Sequence, residues 1–139
     1  MKNVPTSGTR PEQNLDKLLR RFGYNDFVSN WPIMLPCRVY PIVPDKVFLK
    51  SKVACYVHGE FWHRPSAKKT RKRRIQKDNA NVQCLQKNGW IVLEFMGKDL
   101  ELAIGHLMNK KFKDEERARS AKKVFNEIKA AIDEALKGK

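Results

Sequence analysis

The 139-residue sequence is poor in cysteine: Cys37, Cys55 and Cys84 are an odd number, with no CxxC or CxH grouping. Neither a disulfide framework nor a cysteine-rich zinc site is supported, and buried, reduced thiols are the expectation. Long apolar runs are missing too. The longest, such as Val53–Val57 and Trp90–Met96, are far too short to span a bilayer, so no membrane association is expected. Residues 1–10 contain no apolar signal region, which predicts an intracellular protein. There is no internal repeat or low-complexity segment. A hydrophobic fraction of 41% with 9% aromatics excludes global disorder, and the length suits one domain.

Acid is the scarcer charge. Fifteen Asp and Glu stand against 29 Lys and Arg, for a formal net charge of +14. Over residues 64–77 eight of fourteen positions are basic, and none is acidic. These are Arg64, Lys68, Lys69, Arg71, Lys72, Arg73, Arg74 and Lys77. By contrast, residues 98–139 mix eleven basic with eight acidic residues, the pattern of a solvated helix face. A basic run by itself is either a localisation signal or solvated loop, or a surface that neutralises phosphates and releases their counterions. A sequence pI near 9.9 favours a polyanionic partner over a small neutral ligand.

Along the chain, Thr9-Arg-Pro-Glu12 opens a first helix as a T-x-x-E capping box with an early proline. Leu15, Leu18, Leu19 and Phe22 recur at helical spacing, and Gly23 closes the helix. Residues 25–36 read as a loop. Cys37–Val43, Lys46–Leu49 and Val53–His58 read as strands, with Lys50-Ser51-Lys52 a tight turn. A helix through Ile75, Val82 and Leu85 ends at Asn88-Gly89, and Trp90–Phe95 is a further strand, apolar enough to be central and buried. Leu100–Leu107 and Val124–Leu136 are helical by period, with Lys113–Lys123 a charged approach to the last helix. The order predicts an α/β fold with a mixed central sheet flanked by helices.

Few residues can do acid–base or metal chemistry. Asp45 follows Pro44 at a strand start; thirteen residues on comes His58-Gly-Glu-Phe-Trp-His63, holding two of the three histidines. A short turn between adjacent strands brings Asp45 beside the end of its neighbour. A strand carboxylate can hold Mg²⁺ through one or two contacts, leaving waters and phosphate to complete the octahedron. One imidazole can activate water and a second assist the leaving oxygen, with Asp78 and Glu12 as orienting or supporting acids. Each residue alone has a plainer reading. Asp45 suits a turn, Glu12 a capping box, His63 a surface site, and Phe61 and Trp62 a core.

Taken together, Glu12-x-x-Leu15-x-x-Leu18-Leu19, Pro44-Asp45, Val57-His58-Gly59-Glu60-Phe61-Trp62-His63, Asp78 and Gly89-Trp90-Ile-Val-Leu93 resemble the Vsr (very short patch repair) endonucleases. They are similar also to the EDxHD homing endonucleases of phages, both being variants of the PD-(D/E)xK nuclease fold. The resemblance implies a PD-(D/E)xK-type nuclease core over residues 1–111, with a C-terminal helical extension over 112–139. It implies a metal-dependent enzyme that hydrolyses phosphodiester bonds in double-stranded DNA, with Mg²⁺ as cofactor and Mn²⁺ as a substitute. Asp45 is then the principal metal ligand, helped by the backbone carbonyl of Val57. His58 and His63 are the catalytic imidazoles, Asp78 orients one of them, and Glu12 acts in the outer shell. Phe61 and Trp62 match aromatics that push into the base stack, and the basic run from Arg64 to Lys77 lines the phosphates.

The departures from the Vsr pattern concern zinc. Glu60 occupies the position of a zinc-ligating cysteine, Arg64 and Pro65 follow His63, and Lys98 stands where a later cysteine would be. No structural zinc is expected. The tryptophan that precedes the Asp78 helix in the repair enzymes is replaced by basic residues, and Gly59 stands at the usual PD-(D/E)xK lysine. These differences favour a free-standing phage-type homing endonuclease, working in bacterial or phage-infected host cytoplasm. The alternatives are a Vsr-type mismatch-nicking repair enzyme and a non-catalytic nucleic-acid-binding protein on the same scaffold. One active site cuts one strand, so a double-strand break requires a homodimer on DNA or two sequential nicks.

Overall fold

The computed structural model describes residues 10–58 and 80–137. Helix α1 (Arg10–Arg21) follows the leucine period: Leu15, Leu18 and Leu19 are completely buried. Its end is a Schellman turn. Tyr24 N–H bonds Leu19 O at 2.9 Å and Gly23 N–H bonds Arg20 O at 3.0 Å, with Gly23 at φ +97°, a conformation that favours glycine. The expected Thr9 cap lies outside the described residues.

Four strands form one described sheet in the order β1 (Val28–Ser29), β2 (Lys46–Phe48), β3 (Val53–His58) and β4 (Ile91–Met96). The first three run antiparallel to their neighbours, and β3 pairs with β4 in parallel, from Val53↔Ile91 to His58↔Met96. The sheet is therefore mixed, as expected. Helix α2 (described over 80–87) lies on the connection between β3 and β4. It ends where Asn88-Gly89 predicts, with Trp90 N–H on Leu85 O at 3.0 Å. Helices α3 (Gly97–Leu107) and α4 (Glu115–Lys137) complete the order.

Side chains of β3 alternate between two cores. Val53, Cys55 and Val57 join Leu15, Leu18, Leu100, Ala103, Ile128 and Ile132 on the face covered by α1, α3 and α4. Ala54 and Tyr56 point the other way, with Ile33, Ile42, Val47, Cys84 and Leu85. Both faces are covered, which explains why this strand reads as a continuous apolar run. The last helix is part of the first core through Ile128, Ile132 and Ala135.

Four expectations are corrected. Trp90–Phe95 does form a strand, but β4 is an edge of the described sheet, not its centre. Its apolar run reflects cover on both faces rather than position in the sheet. Cys37–Val43 is not a strand: only Ile42 pairs, in an isolated bridge with Ile33. Pro36, Pro41 and Pro44 withhold the donors a ladder needs, and the true first strand is Val28–Ser29 within the expected loop. The approach over Lys113–Lys123 is helical from Glu115, because Asp114 caps α4 by accepting Arg117 N–H at 2.6 Å. Finally, Cys37 and Cys84 are joined by a disulfide with Cα atoms 5.9 Å apart, so only Cys55 is the expected buried thiol. Two residues separated by 47 positions carry no spacing signal for such a bond.

Candidate active site

The strand register delivers Asp45 to the end of β3. Its N–H bonds Cys55 O at 3.0 Å and its carbonyl accepts Asn30 N–H at 3.2 Å, which fastens its backbone between β1 and β3. Its carboxylate then reaches along β3, where Oδ2 accepts the Val57 N–H at 2.7 Å. Asp45 is thus bonded to the residue before His58, as the strand–turn–strand reading requires. It is the Val57 N–H, and not its carbonyl, that makes this contact.

Glu12, in the first turn of α1, shares a hydrogen bond with Asp45. Burial, together with this second carboxylate, pushes the Asp45 carboxyl up to about 7, against the opposing pull of the Val57 N–H and the Lys46 cation. Two acids in one half-buried place cannot both ionise easily without a cation between them.

Lys46 explains how α1 comes to deliver Glu12 there. Its side chain is buried and its Nζ lies 2.7 Å from Ser29 Oγ and 3.2 Å from Asp16 Oδ2. Asp16 is one helical turn from Glu12 and also binds Arg20 at 2.6 Å. The buried cation therefore ties α1 to β1 and β2 immediately beside Asp45. An open cleft of about 420 Å³ lined by Glu12, Asp16, Lys17, Arg20, Ser29 and Lys46 runs along this seam. At this same end of α1 the packing is close. A Cβ on Gly97 would sit 3.1 Å from Pro11 Cγ and 3.3 Å from His58 O, so α1, β3 and α3 meet at van der Waals contact.

His58 follows Val57 as the last residue of β3. Its Nε2 lies 2.9 Å from Glu94 Oε1, with the imidazole side chain 19% exposed and the carboxylate 47% exposed. Glu94 pairs across from Tyr56 in the parallel register. Sequence reasoning missed both Glu94 and Lys46. The signal for Glu94 was present, since it is the one carboxylate inside the apolar stretch Trp90–Met96. His63, Asp78, Phe61, Trp62 and the whole basic run Arg64–Lys77 lie outside the described residues. Among the described residues no group of three or more His, Cys, Asp or Glu forms a metal cluster. The donors present are the Glu12–Asp45 pair, hard oxygens of the kind Mg²⁺ or Mn²⁺ takes one or two at a time.

The family described as DNA mismatch endonuclease Vsr matches residues 1–69. The N-terminal half of the chain is Vsr-like. The Type II nicking enzyme V.XorIIP of Xanthomonas oryzae pv. oryzae is 35% identical over 63 residues, which are 45% of this chain and 41% of that protein. The chain thus spans less than half the length of this curated relative. No solved structure matches significantly. The Vsr-like half contains Glu12, Asp45, Val57, His58 and His63 and stops before Asp78 and Glu94.

Proposed function

We propose that this protein is a metal-dependent endonuclease that hydrolyses phosphodiester bonds in double-stranded DNA on a PD-(D/E)xK-type core. The observation that carries the reading is the Glu12–Asp45 carboxylate pair, with Asp45 accepting the N–H of Val57, the residue before His58, at 2.7 Å. Such a pair suits a divalent cation and has no purpose in a protein that only binds phosphates. Asp45 would hold the ion with the Val57 carbonyl, and Glu12 would order the surrounding waters. A Mg²⁺ ion so held, with Mn²⁺ as substitute, supplies charge neutralisation at the phosphate and a more acidic water.

Glu94 fixes the imidazole of His58. A carboxylate accepts, so Nε2 carries the proton and Nδ1 is the basic atom that can take a proton from the attacking water. His63 assists at the leaving oxygen, and Asp78 orients an imidazole. Glu94→Gln is expected to lower turnover about tenfold, the scale on which partners of catalytic or ligating groups act, while leaving duplex affinity unchanged in a binding assay. Phe61 and Trp62 contact the bases, and Arg64–Lys77 lines the backbone. The nuclease core extends over 1–111, and the C-terminal helical extension over 112–139 supports it through α4.

Within this reading the protein is a free-standing phage-type homing endonuclease, acting as a homodimer or by sequential nicks. The second reading, a mismatch-nicking repair enzyme, is supported by the match to the mismatch endonuclease family and by the nicking relative. Plasmid nicking with Mg²⁺ and with EDTA tests both. Wild type is expected to relax or linearise plasmid only with the metal, whereas Asp45→Ala and His58→Ala bind but do not cut. Cleavage that persists in EDTA or in Asp45→Ala sinks the metal mechanism. Preference for a T·G mismatch over matched duplex selects the repair reading.

A further inference from the structure

Residues 30–44, between β1 and β2, form a stiff hairpin that the nuclease reading leaves without a task. It is closed at its root by the Asn30 N–H to Asp45 O bond of 3.2 Å, and at mid-height by Ile33 and Ile42, which exchange hydrogen bonds of 2.7 and 2.9 Å. A turn at its tip has Arg38 N–H on Leu35 O at 3.2 Å. Ile33 and Ile42 point into the second core. Around them Trp31, Met34, Val39, Tyr40 and Val43 are left 45%, 69%, 87%, 81% and 48% exposed. Five exposed apolar residues concentrated in one fifteen-residue hairpin mark an interaction surface rather than scattered surface apolar residues.

The surface is built to stay in place. Four of the chain's seven prolines (Pro32, Pro36, Pro41 and Pro44) lie in the hairpin, so little backbone freedom remains to be lost on docking. The Cys37–Cys84 disulfide ties its tip to α2. Asn88 reinforces that tie, donating to Cys84 O at 2.8 Å and to Cys37 Sγ at 3.5 Å.

Charge and connectivity identify the occupant. Arg38 is the only charged residue among 30–44, so the apolar face carries no acid to repel a polyanion. At one end the hairpin runs directly into Asp45. At the other, Cys84 stands seven residues after Lys77, the last cation of the basic run. Chain reach alone keeps the tip within about 25 Å of it. A duplex whose phosphate lies at Asp45 therefore meets the hairpin, which begins and ends beside that residue through the Asn30 N–H to Asp45 O bond. We infer that the exposed hairpin face, led by Trp31 and Tyr40, docks against the base edges of duplex DNA next to the phosphate to be cut. It supplies the apolar, salt-insensitive part of binding that the cations cannot. The inference rests on the endonuclease reading above and names a contact surface for it.

Fluorescence anisotropy with a short labelled duplex, repeated across salt concentrations, tests it. Trp31→Ala combined with Tyr40→Ala is expected to weaken binding about tenfold at every salt concentration. The slope of log affinity against log salt should stay unchanged, because apolar contacts release no counterions. Val39→Ser, at the most exposed position, is the second variant; with melting temperature retained, it should weaken binding about threefold, again at constant slope. Wild-type affinity in both variants overturns the proposal. So does sedimentation showing a wild-type dimer that the variants lose, which assigns the surface to a second copy of the chain. Metal-dependent nicking that Asp45→Ala abolishes, alongside unaffected binding by the hairpin variants, removes this proposal alone. Duplex binding that needs the hairpin, without any nicking by wild type, removes the endonuclease reading and leaves the surface standing.

Discussion

Asp45 shows how a single carboxyl group is made useful. Its backbone is bonded to Asn30 and Cys55, its side chain accepts the Val57 N–H, and Glu12 is its hydrogen-bond partner. Since the folded group is held up to about 7, between the ordinary carboxylate range and neutrality the native state binds a proton that the unfolded chain has lost. Stability from this group therefore declines as pH rises through that window. Cation binding has the opposite requirement, because it must displace the proton. Apparent Mg²⁺ affinity is expected to climb from pH 5 to about 7 and then level off. Calorimetry in buffers of different ionisation enthalpy should detect about one proton released near pH 6 and almost none at pH 8. No release at pH 6 would mean that Asp45 is already ionised. The neighbourhood of Asp45 was legible in the sequence, because a tight turn between two short strands leaves few registers and each puts it beside Val57 or His58. Glu94 stood out as a lone carboxylate in an apolar run, but its partner did not, since it reaches His58 only through a parallel pairing of strands separated by residues 59–90.

At the scale of elements, the legible parts are those with local causes. The leucine period with Gly23 defined α1, Asn88-Gly89 ended α2, and the short apolar run of Val53–His58 marked β3. The parts that misled depend on distant neighbours. Nothing in Val28-Ser29 announces a strand, which exists only because Val47 and Lys46 lie opposite. The β-branched run before Pro44 suggests a strand, but its prolines stop the ladder. Two junctions between elements carry measurable weight. Gly97→Ala brings a methyl against the His58 carbonyl and the Pro11 ring; a loss of about 1–2 kcal/mol is expected in urea denaturation, of the size of other overpacking changes. Opening the Cys37–Cys84 bond frees a loop with ends 47 residues apart, and loop-closure entropy sets a loss of about 2–4 kcal/mol. Cys37→Ser should show that loss without reductant and no further loss with it, whereas wild type falls to the same level only when reduced.

For the whole molecule, the formal charge of +14 becomes a question of how many phosphates are neutralised. Arg71, Arg73 and Arg74 contribute three of the eight cations in the basic run. Replacing all three with Glu should reduce the slope of log affinity against log salt by about three while weakening binding to every sequence alike. An unchanged slope would remove the run from the phosphate surface. The three-layer packing has a consequence in time as well as in space. Glu12 belongs to the first helix, and that helix is held by Leu100, Ala103, Ile128 and Ile132 from the last two. A chain emerging from the ribosome therefore presents Asp45 long before it can seat the neighbouring acid. On the proposed reading, cutting ability arrives late in synthesis, and half-made or clipped copies are harmless to the nucleic acid around them.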